Sequence, residues 1–308
     1  MKAAQISEYG DPTVVHINEV VKPTLGDRQV LVEVHASSLN PFDTKIRDGS
    51  MKDFIPLQFP VTLGGDIAGV VTEVSDGVTS VTVGDKVYGQ ANAVAGNSGA
   101  FAQFAATAAG QVAAAPTNLS PAEAASLPLV GVSALQAVTE HIGLQAGQKI
   151  FVNGAGGIGA IAIMIAKNIG AYVATTATSG GLEDVKKLGA NEAIDFKSQD
   201  FAEVLSDYDA VFDTVGNDFS KTLTILKKGG IAVTMGMGAD SAKAAELGVT
   251  VIGQSTKVTT AALNELTKLI EAGVVVPQVA KTFTLDQIVE AFTAREDGSV
   301  RGKVVINI

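Results

Sequence analysis

Cysteine is missing from all 308 residues. That absence removes every disulfide, every thiolate nucleophile and every thiolate metal ligand at once. Histidine is almost missing: the three that exist, His16, His35 and His141, lie in two strand-like runs and a helical one, without the grouped spacing a metal site needs. No stretch approaches the roughly 18 uninterrupted apolar residues of a membrane span. The opening MKAAQISEYG lacks the basic head and apolar core of a secretory leader, so a cytoplasmic protein with no membrane partner is expected. Positive charge is also short. With 22 Lys and Arg against 32 Asp and Glu the net charge is −10, and no basic patch interrupts it, so nucleic acid phosphates are repelled.

What the chain does have is material for a large interior: 46% hydrophobic residues, 18% charged residues and 33 glycines, the composition of a globular protein. Its length suggests two domains. Up to about residue 116 the text is strand-like, with QVLVEVHA, IAGVVTEV and KVYGQ cut by YGDP, TLGD, SDGV and TVGD, which predicts a β-rich, barrel-like domain. Ser120-Pro121-Ala122-Glu123 is a helix start, with a hydroxyl cap, proline in the first turn and glutamate three residues on. Strands are then expected at 149–153, 171–177, 192–196, 208–216, 231–237 and 249–254, alternating with helices at 158–168, 182–190 and 219–230. That alternation predicts an α/β, doubly wound parallel sheet. A long helix follows at 260–273, and the strand–helix–strand ending beyond Pro277 is expected to return to the first domain. The expected domains are 1–118 with 277–308, and 119–276.

In KIFVNGAGGIGAIA, residues 149–162, an apolar strand runs into a glycine cluster and on into a helix. Gly154, Gly156 and Gly159 have the spacing and context of a dinucleotide-binding turn: the first for the tight bend, the second for close approach of a pyrophosphate, the third for packing of helix on strand. Gly157 and Ile158 follow with backbone amides at the positive end of the helix dipole. The next strand ends in Thr175-Thr176-Ala177-Thr178-Ser179-Gly180, with no carboxylate for an NAD ribose. Hydroxyls at Thr176, Thr178 and Ser179 suit a 2′-phosphate, so NADP is favoured over NAD, although Lys186 and Lys187 lie only on the following helix.

The order of parts, with SSLNPFDTKIRDG at 37–49, FPVTLGGDIAGVV at 59–71 and GAGGIG at 154–159, resembles the medium-chain dehydrogenase/reductase superfamily over nearly the whole chain. The resemblance implies a GroES-like N-terminal domain joined to a Rossmann domain. Where zinc alcohol dehydrogenases of that superfamily hold catalytic zinc by cysteine, histidine and cysteine, the matching positions here are Asn40, Gly65 and Val130, so no metal is expected. The run NPFD followed by GGD looks like the zinc-independent quinone oxidoreductase branch, with zeta-crystallin and the enone and alkenal reductases. That implies NADPH-dependent reduction of quinones or conjugated carbonyls. The resemblance also places Ser133 beside the nicotinamide carboxamide, Val215, Gly216, Met235 and Gly236 at the nicotinamide ribose, Gly253 and Gln254 at the next strand end, Phe196 at the adenine and Arg301 at the pyrophosphate.

Without zinc, charge developing on the substrate oxygen needs another donor. Asn40 can donate through its amide, or it stabilises the turn before Pro41. Lys45 can donate to the substrate oxygen or touch the cofactor, or it is a surface charge paired with Asp43 or Asp48. The resemblance makes Asp43 an orienting carboxylate, with Asp66 of similar standing, while Phe42, Met235 and Met237 line a pocket or fill the core. An NADH-using reductase of another acceptor, or a non-catalytic nucleotide-binding sensor or structural protein, remains the alternative. The apolar runs IAVTMGM and VTVIGQ suit a sheet edge through which a homodimer is joined, by analogy with relatives.

Overall fold

Along strand Gln29–Leu39, Val32, Val34 and Ala36 turn inward while Glu33 and His35 face solvent, the alternation of a sheet with one wet face. Beyond Ala36 every residue through Asn40 is buried. The computed structural model describes residues 1–236, 240–298, 300 and 302–308, so Met237 and Arg301 lie outside the described residues. The chain divides into two units. Met1–Leu129, Val258–Glu271 and Pro277–Ile308 form the first, and Val130–Lys257 with Ala272–Val276 form the second.

In the first unit, Lys2–Ile6 pairs antiparallel with His16–Glu19 and Val61–Thr62. A larger sheet runs in the order Val279–Thr284, Lys303–Asn307, Gln29–Leu39, Asp66–Val74, Lys86–Gln90, Val112–Ala114, with Phe104–Ala108 also on Gln29–Leu39. One apolar core joins Ile6, Leu39 and Phe101 to Phe283, Phe292 and Ile306, so the last thirty or so residues complete the core of the first unit. Helix Pro121–Ala125 begins as expected: Ser120 accepts from the Glu123 amide, and Glu123 reaches back to Ser120.

The second unit is a six-stranded sheet, parallel throughout, in the order Glu192–Asp195, Tyr172–Ala177, Lys149–Asn153, Tyr208–Asp213, Leu226–Thr234, Thr250–Gly253. In chain order this is third, second, first, fourth, fifth, sixth, the doubly wound arrangement of dinucleotide-binding proteins.

Three expectations need correction. The division falls after Leu129 rather than 118, and helix Thr260–Glu271 belongs to the first unit. That helix buries Leu263, Leu266 and Ile270; its Leu263 carbonyl accepts from the Tyr88 hydroxyl at 2.7 Å, and the Thr260 hydroxyl donates to Val112 O at 2.7 Å. An amphipathic pattern announces a buried face without saying which partner covers it. The helix expected at 219–230 is short, Phe219–Thr222 with a tight turn Leu223–Ile225, and Leu226–Thr234 is a strand. Leu226 pairs with Tyr208, and the register shifts before Ala210 meets Ile231. Gly229, at φ +80°, takes a backbone conformation other residues avoid. The third correction concerns IAVTMGM: Leu226–Thr234 is interior, so Thr250–Gly253 and Glu192–Asp195 are the two edges of this sheet.

Candidate active site

Strand Lys149–Asn153 ends where the strand order reverses, with Tyr172–Ala177 on one side and Tyr208–Asp213 on the other. Such a switch point opens a crevice at the carboxyl ends of the strands. Gly154 turns the chain there with φ +88°, and a Cβ on it would stand 2.5 Å from Val215 Cγ2. Gly159 lies so close to the strand that its Cβ would be 1.9 Å from Gly154 O. Gly156 is different: it is exposed, and a Cβ on it would have nothing within 4 Å. It precedes the 13-residue helix Gly157–Ile169, whose N-terminus has no side-chain cap. The first amides, including those of Gly157 and Ile158, are left for an anion.

A buried polar chain holds this turn. The Gly154 amide donates to Thr176 Oγ1 at 2.8 Å, Thr176 Oγ1 donates to Asn153 Oδ1 at 2.9 Å, and Asn153 Nδ2 donates to Asp213 Oδ1 at 2.8 Å. The Thr214 hydroxyl is shared by Asn153 O and Gly154 O at 2.9 and 3.0 Å. Asp213 Oδ2 accepts from the Gly216 amide and Thr234 Oγ1, both at 3.1 Å. Burial pushes the Asp213 carboxyl up, and the bonds from Asn153 and Thr234 oppose it. Asn153, Asp213, Thr214 and Thr234 did not stand out in the sequence; the available signal was one polar residue closing each apolar strand. Thr176 is buried and serves the turn, whereas Val215 is half exposed beside Gly154. Gly216 and Gly236 approach so closely that a Cβ on Gly236 would be 2.9 Å from Gly216 Cα; Met235 precedes that contact and its amide donates to Asp213 O.

Ser133 and Gln254 meet through Thr256. The hydroxyls of Ser133 and Thr256 are 2.7 Å apart, and Gln254 Nε2 donates to Ser133 O at 2.9 Å. Gln254 Oε1 is buried with no partner among the described residues, and Gly253 beside it is exposed. At the far side of the sheet, Asp195 is in register with Ala177, and the Ser179 hydroxyl donates to its carboxylate. That bond, then the Lys197 amide, holds Asp195 below the usual carboxylate range. A carboxylate therefore stands beside Thr178 and Ser179 after all, supplied by the neighbouring strand. Phe196 next to it is exposed, and Lys186 and Lys187 are exposed and paired with Glu183 and Asp184.

In the first unit the polar residues gather around Asp66, which is fully buried. Asp66 Oδ2 accepts from Ser38 Oγ at 3.0 Å and Asn40 Nδ2 at 2.9 Å, and Oδ1 from Gln90 Nε2 at 3.2 Å and the Leu129 amide at 3.1 Å. Lys303, which sequence reasoning missed, is buried beside them. Its Nζ donates to Asn40 Oδ1 at 2.7 Å and lies 3.7 Å from Asp66 Oδ2. Burial lowers its basicity, and Asp66 and Asp43 counter that. Asp43 Oδ2 accepts from the backbone N–H of Asn40 at 2.7 Å. Burial pushes its carboxyl up to about 7, reinforced by the Asp66 charge and opposed by the Asn40 amide and Lys303. Lys45, on the same helix Pro41–Arg47, is exposed and does not join this group.

A doubly wound sheet with an open glycine turn at its switch point defines a dinucleotide-binding protein, and the comparisons give that class its family. Residues 26–117 match the alcohol dehydrogenase GroES-like domain, and residues 188–306 match zinc-binding dehydrogenase. The chain is 35% identical to a 2-methylene-furan-3-one reductase of Solanum lycopersicum, over 100% of this chain and 79% of that one. It is 34% identical to an NADPH-dependent alkenal/one oxidoreductase, chloroplastic, of Arabidopsis thaliana, over 99% and 79%. The Escherichia coli quinone oxidoreductase complexed with NADPH superposes with a TM-score of 0.90 at 26% identity, each chain covered in full. The protein belongs to the medium-chain dehydrogenase/reductase superfamily, among its quinone and enone oxidoreductases, with a GroES-like and a Rossmann-type domain.

Zinc does not fit the residues present. Asn40 offers only a neutral amide, whose oxygen already accepts from the Lys303 ammonium, and Gly65 has no side chain to offer. A dinucleotide does fit: the space above Gly156 is what a Cβ would fill, and the unpartnered Gln254 Oε1 can accept from a carboxamide beside Ser133.

Proposed function

We propose that this protein is an NADPH-dependent oxidoreductase that reduces quinones or the carbon–carbon double bond of α,β-unsaturated carbonyls without a metal. The observation that carries the reading is the open glycine turn at the switch point, with uncapped helix amides, supported by relatives named for these activities. Bound NADPH supplies the hydride. Gly156, Gly157 and Ile158 bind the pyrophosphate through backbone amides, and Ser133 with Gln254 orients the carboxamide. Conjugation spreads the negative charge that follows hydride addition, so the protein needs to stabilise less of it than for a simple ketone. Lys45, the exposed ammonium of helix Pro41–Arg47, donates the hydrogen bond or proton that the oxygen requires. Asn40 and Asp43 orient the start of that helix.

A second reading has one specific observation behind it: the Asp195 carboxylate at Ser179 suits the hydroxyl of an NADH ribose better than a phosphate. The test is loss of reduced-nicotinamide absorbance with NADPH and NADH, against one quinone, one enone, one 2-alkenal and one simple ketone. Faster oxidation of NADPH with the conjugated acceptors and none with the ketone is expected, and Lys45→Ala should lower kcat by about 10²-fold. Nucleotide binding without turnover on any acceptor would support the sensor instead.

A further inference from the structure

Lys303 is the one buried lysine among the described residues, and nothing in the dinucleotide-binding reading uses it. It begins strand Lys303–Asn307, which pairs with the end of Gln29–Leu39; Asp66 begins the strand on the other side of Gln29–Leu39. An ammonium and a carboxylate thus flank Asn40 from opposite strands, and each binds one end of its amide: Lys303 Nζ the oxygen, Asp66 Oδ2 the nitrogen. An amide held this way has one orientation, since a flipped one would set N–H against ammonium and oxygen against carboxylate. The network is also closed. Asp66 has four donors on its two oxygens, and no side-chain atom of Asn40, Asp43, Asp66 or Lys303 is left buried without a partner.

We infer that Lys303 is the resident cation of this site and a positioning residue for the reaction: it balances Asp66 and fixes the Asn40 side-chain amide. The catalytic half of this inference rests on the reductase reading above. The structural half does not. A buried charge stripped of its partner is strongly destabilising, while removal of both partners is far less so. A second cation is opposed by repulsion from the ammonium, and the four acceptor positions of Asp66 are already occupied.

The experiment is a cycle of Lys303→Met, Asp66→Asn and the double variant in the full chain, with urea unfolding and steady-state kinetics on each. Lys303→Met should raise the unfolding equilibrium constant at least ten-fold, and the double variant should be at least ten-fold less unfolded than the product of the two single effects implies. Independent, multiplying effects would overturn the charge pairing. If Lys303→Met does not fold, the double variant still should, and failure of both would overturn the pairing equally. In kinetics, Lys303→Met, or the double variant in its place, should lose at least ten-fold in kcat with the KM for NADPH within two-fold, and Lys303→Arg should recover part of kcat. An unchanged kcat, or a loss confined to KM, would reject the positioning role. Zinc retained at one ion per wild-type chain after incubation and gel filtration would contradict the resident cation. Wild-type protein that oxidises no reduced nicotinamide would sink the reductase reading while the unfolding cycle still decides the pairing.

Discussion

Gly156 and Gly159 sit three residues apart in one turn and are needed for opposite reasons. A Cβ at Gly159 collides with its own chain, at 1.9 Å from Gly154 O, so Gly159→Ala should cost about 2 kcal/mol of stability through a forced shift of helix from strand. A Cβ at Gly156 meets nothing within 4 Å. Gly156→Ala should therefore unfold within about 0.5 kcal/mol of wild type yet bind NADPH at least about ten-fold more weakly, because the methyl group takes the pyrophosphate's place. Urea unfolding and a nucleotide fluorescence titration on the same two variants separate the cases. Asp195 calls for another kind of measurement. Its ionised carboxylate holds Ser179 and would face a 2′-phosphate of like charge. Asp195→Asn should tighten NADPH binding by roughly three- to ten-fold and change NADH by less than two-fold, a modest effect because an exposed charge is screened by water and salt; equal shifts for both nucleotides would remove Asp195 from selectivity.

Helix Pro41–Arg47 starts on Asn40 and carries Asp43 in its first turn, buried and titrating near 7. An unfolded chain loses that proton near 3.9, so between about pH 4 and pH 7 the folded state holds a proton that the unfolded state has released. Stability from this group is complete below pH 4, falls as pH rises toward 7 and is flat above. Asp43→Asn has no such proton to hold. Its stability relative to wild type should therefore improve steadily from pH 4 to pH 7, as urea midpoints at pH 4.5, 6 and 8 would show; parallel curves would mean that Asp43 ionises normally. The sequence carried the start of helix Pro121–Ala125 plainly, because cap, proline and acid are neighbours in the chain, whereas around Asn40 it suggested only a turn before Pro41. It carried the glycine turn as plainly as that first helix start, for the same reason. Lys303 was invisible: its partners Asn40 and Asp66 are joined to it only by strand pairing. Leu226–Thr234 misled in another way, since Lys227 and Lys228 suit a helix and only pairing with Tyr208–Asp213 and Thr250–Gly253 makes the segment a strand.

At the scale of the whole molecule, the sheet of the second unit ends in strand Thr250–Gly253, whose outer backbone groups have no strand beyond them among the described residues. Val251 and Ile252 are half-buried there, a short apolar edge of the kind that a second copy covers. Sedimentation equilibrium should accordingly give twice the mass of one chain; a single-chain mass at micromolar concentration would rule out the dimer. The seven-stranded sheet has a different peculiarity, because Lys303–Asn307 lies inside it, between Val279–Thr284 and Gln29–Leu39. During translation, Gln29–Leu39 leaves the ribosome long before the strand that must lie against it. Domains ordinarily fold in the order of synthesis, but here the nucleotide-binding unit has nearly all its residues while the earlier-made unit still has an open seam. The nascent chain thus carries an unfinished β-edge through most of its synthesis, and a premature stop just short of residue 303 would release a polypeptide with all the residues of its second unit but without the strand that lies between Val279–Thr284 and Gln29–Leu39 in the first.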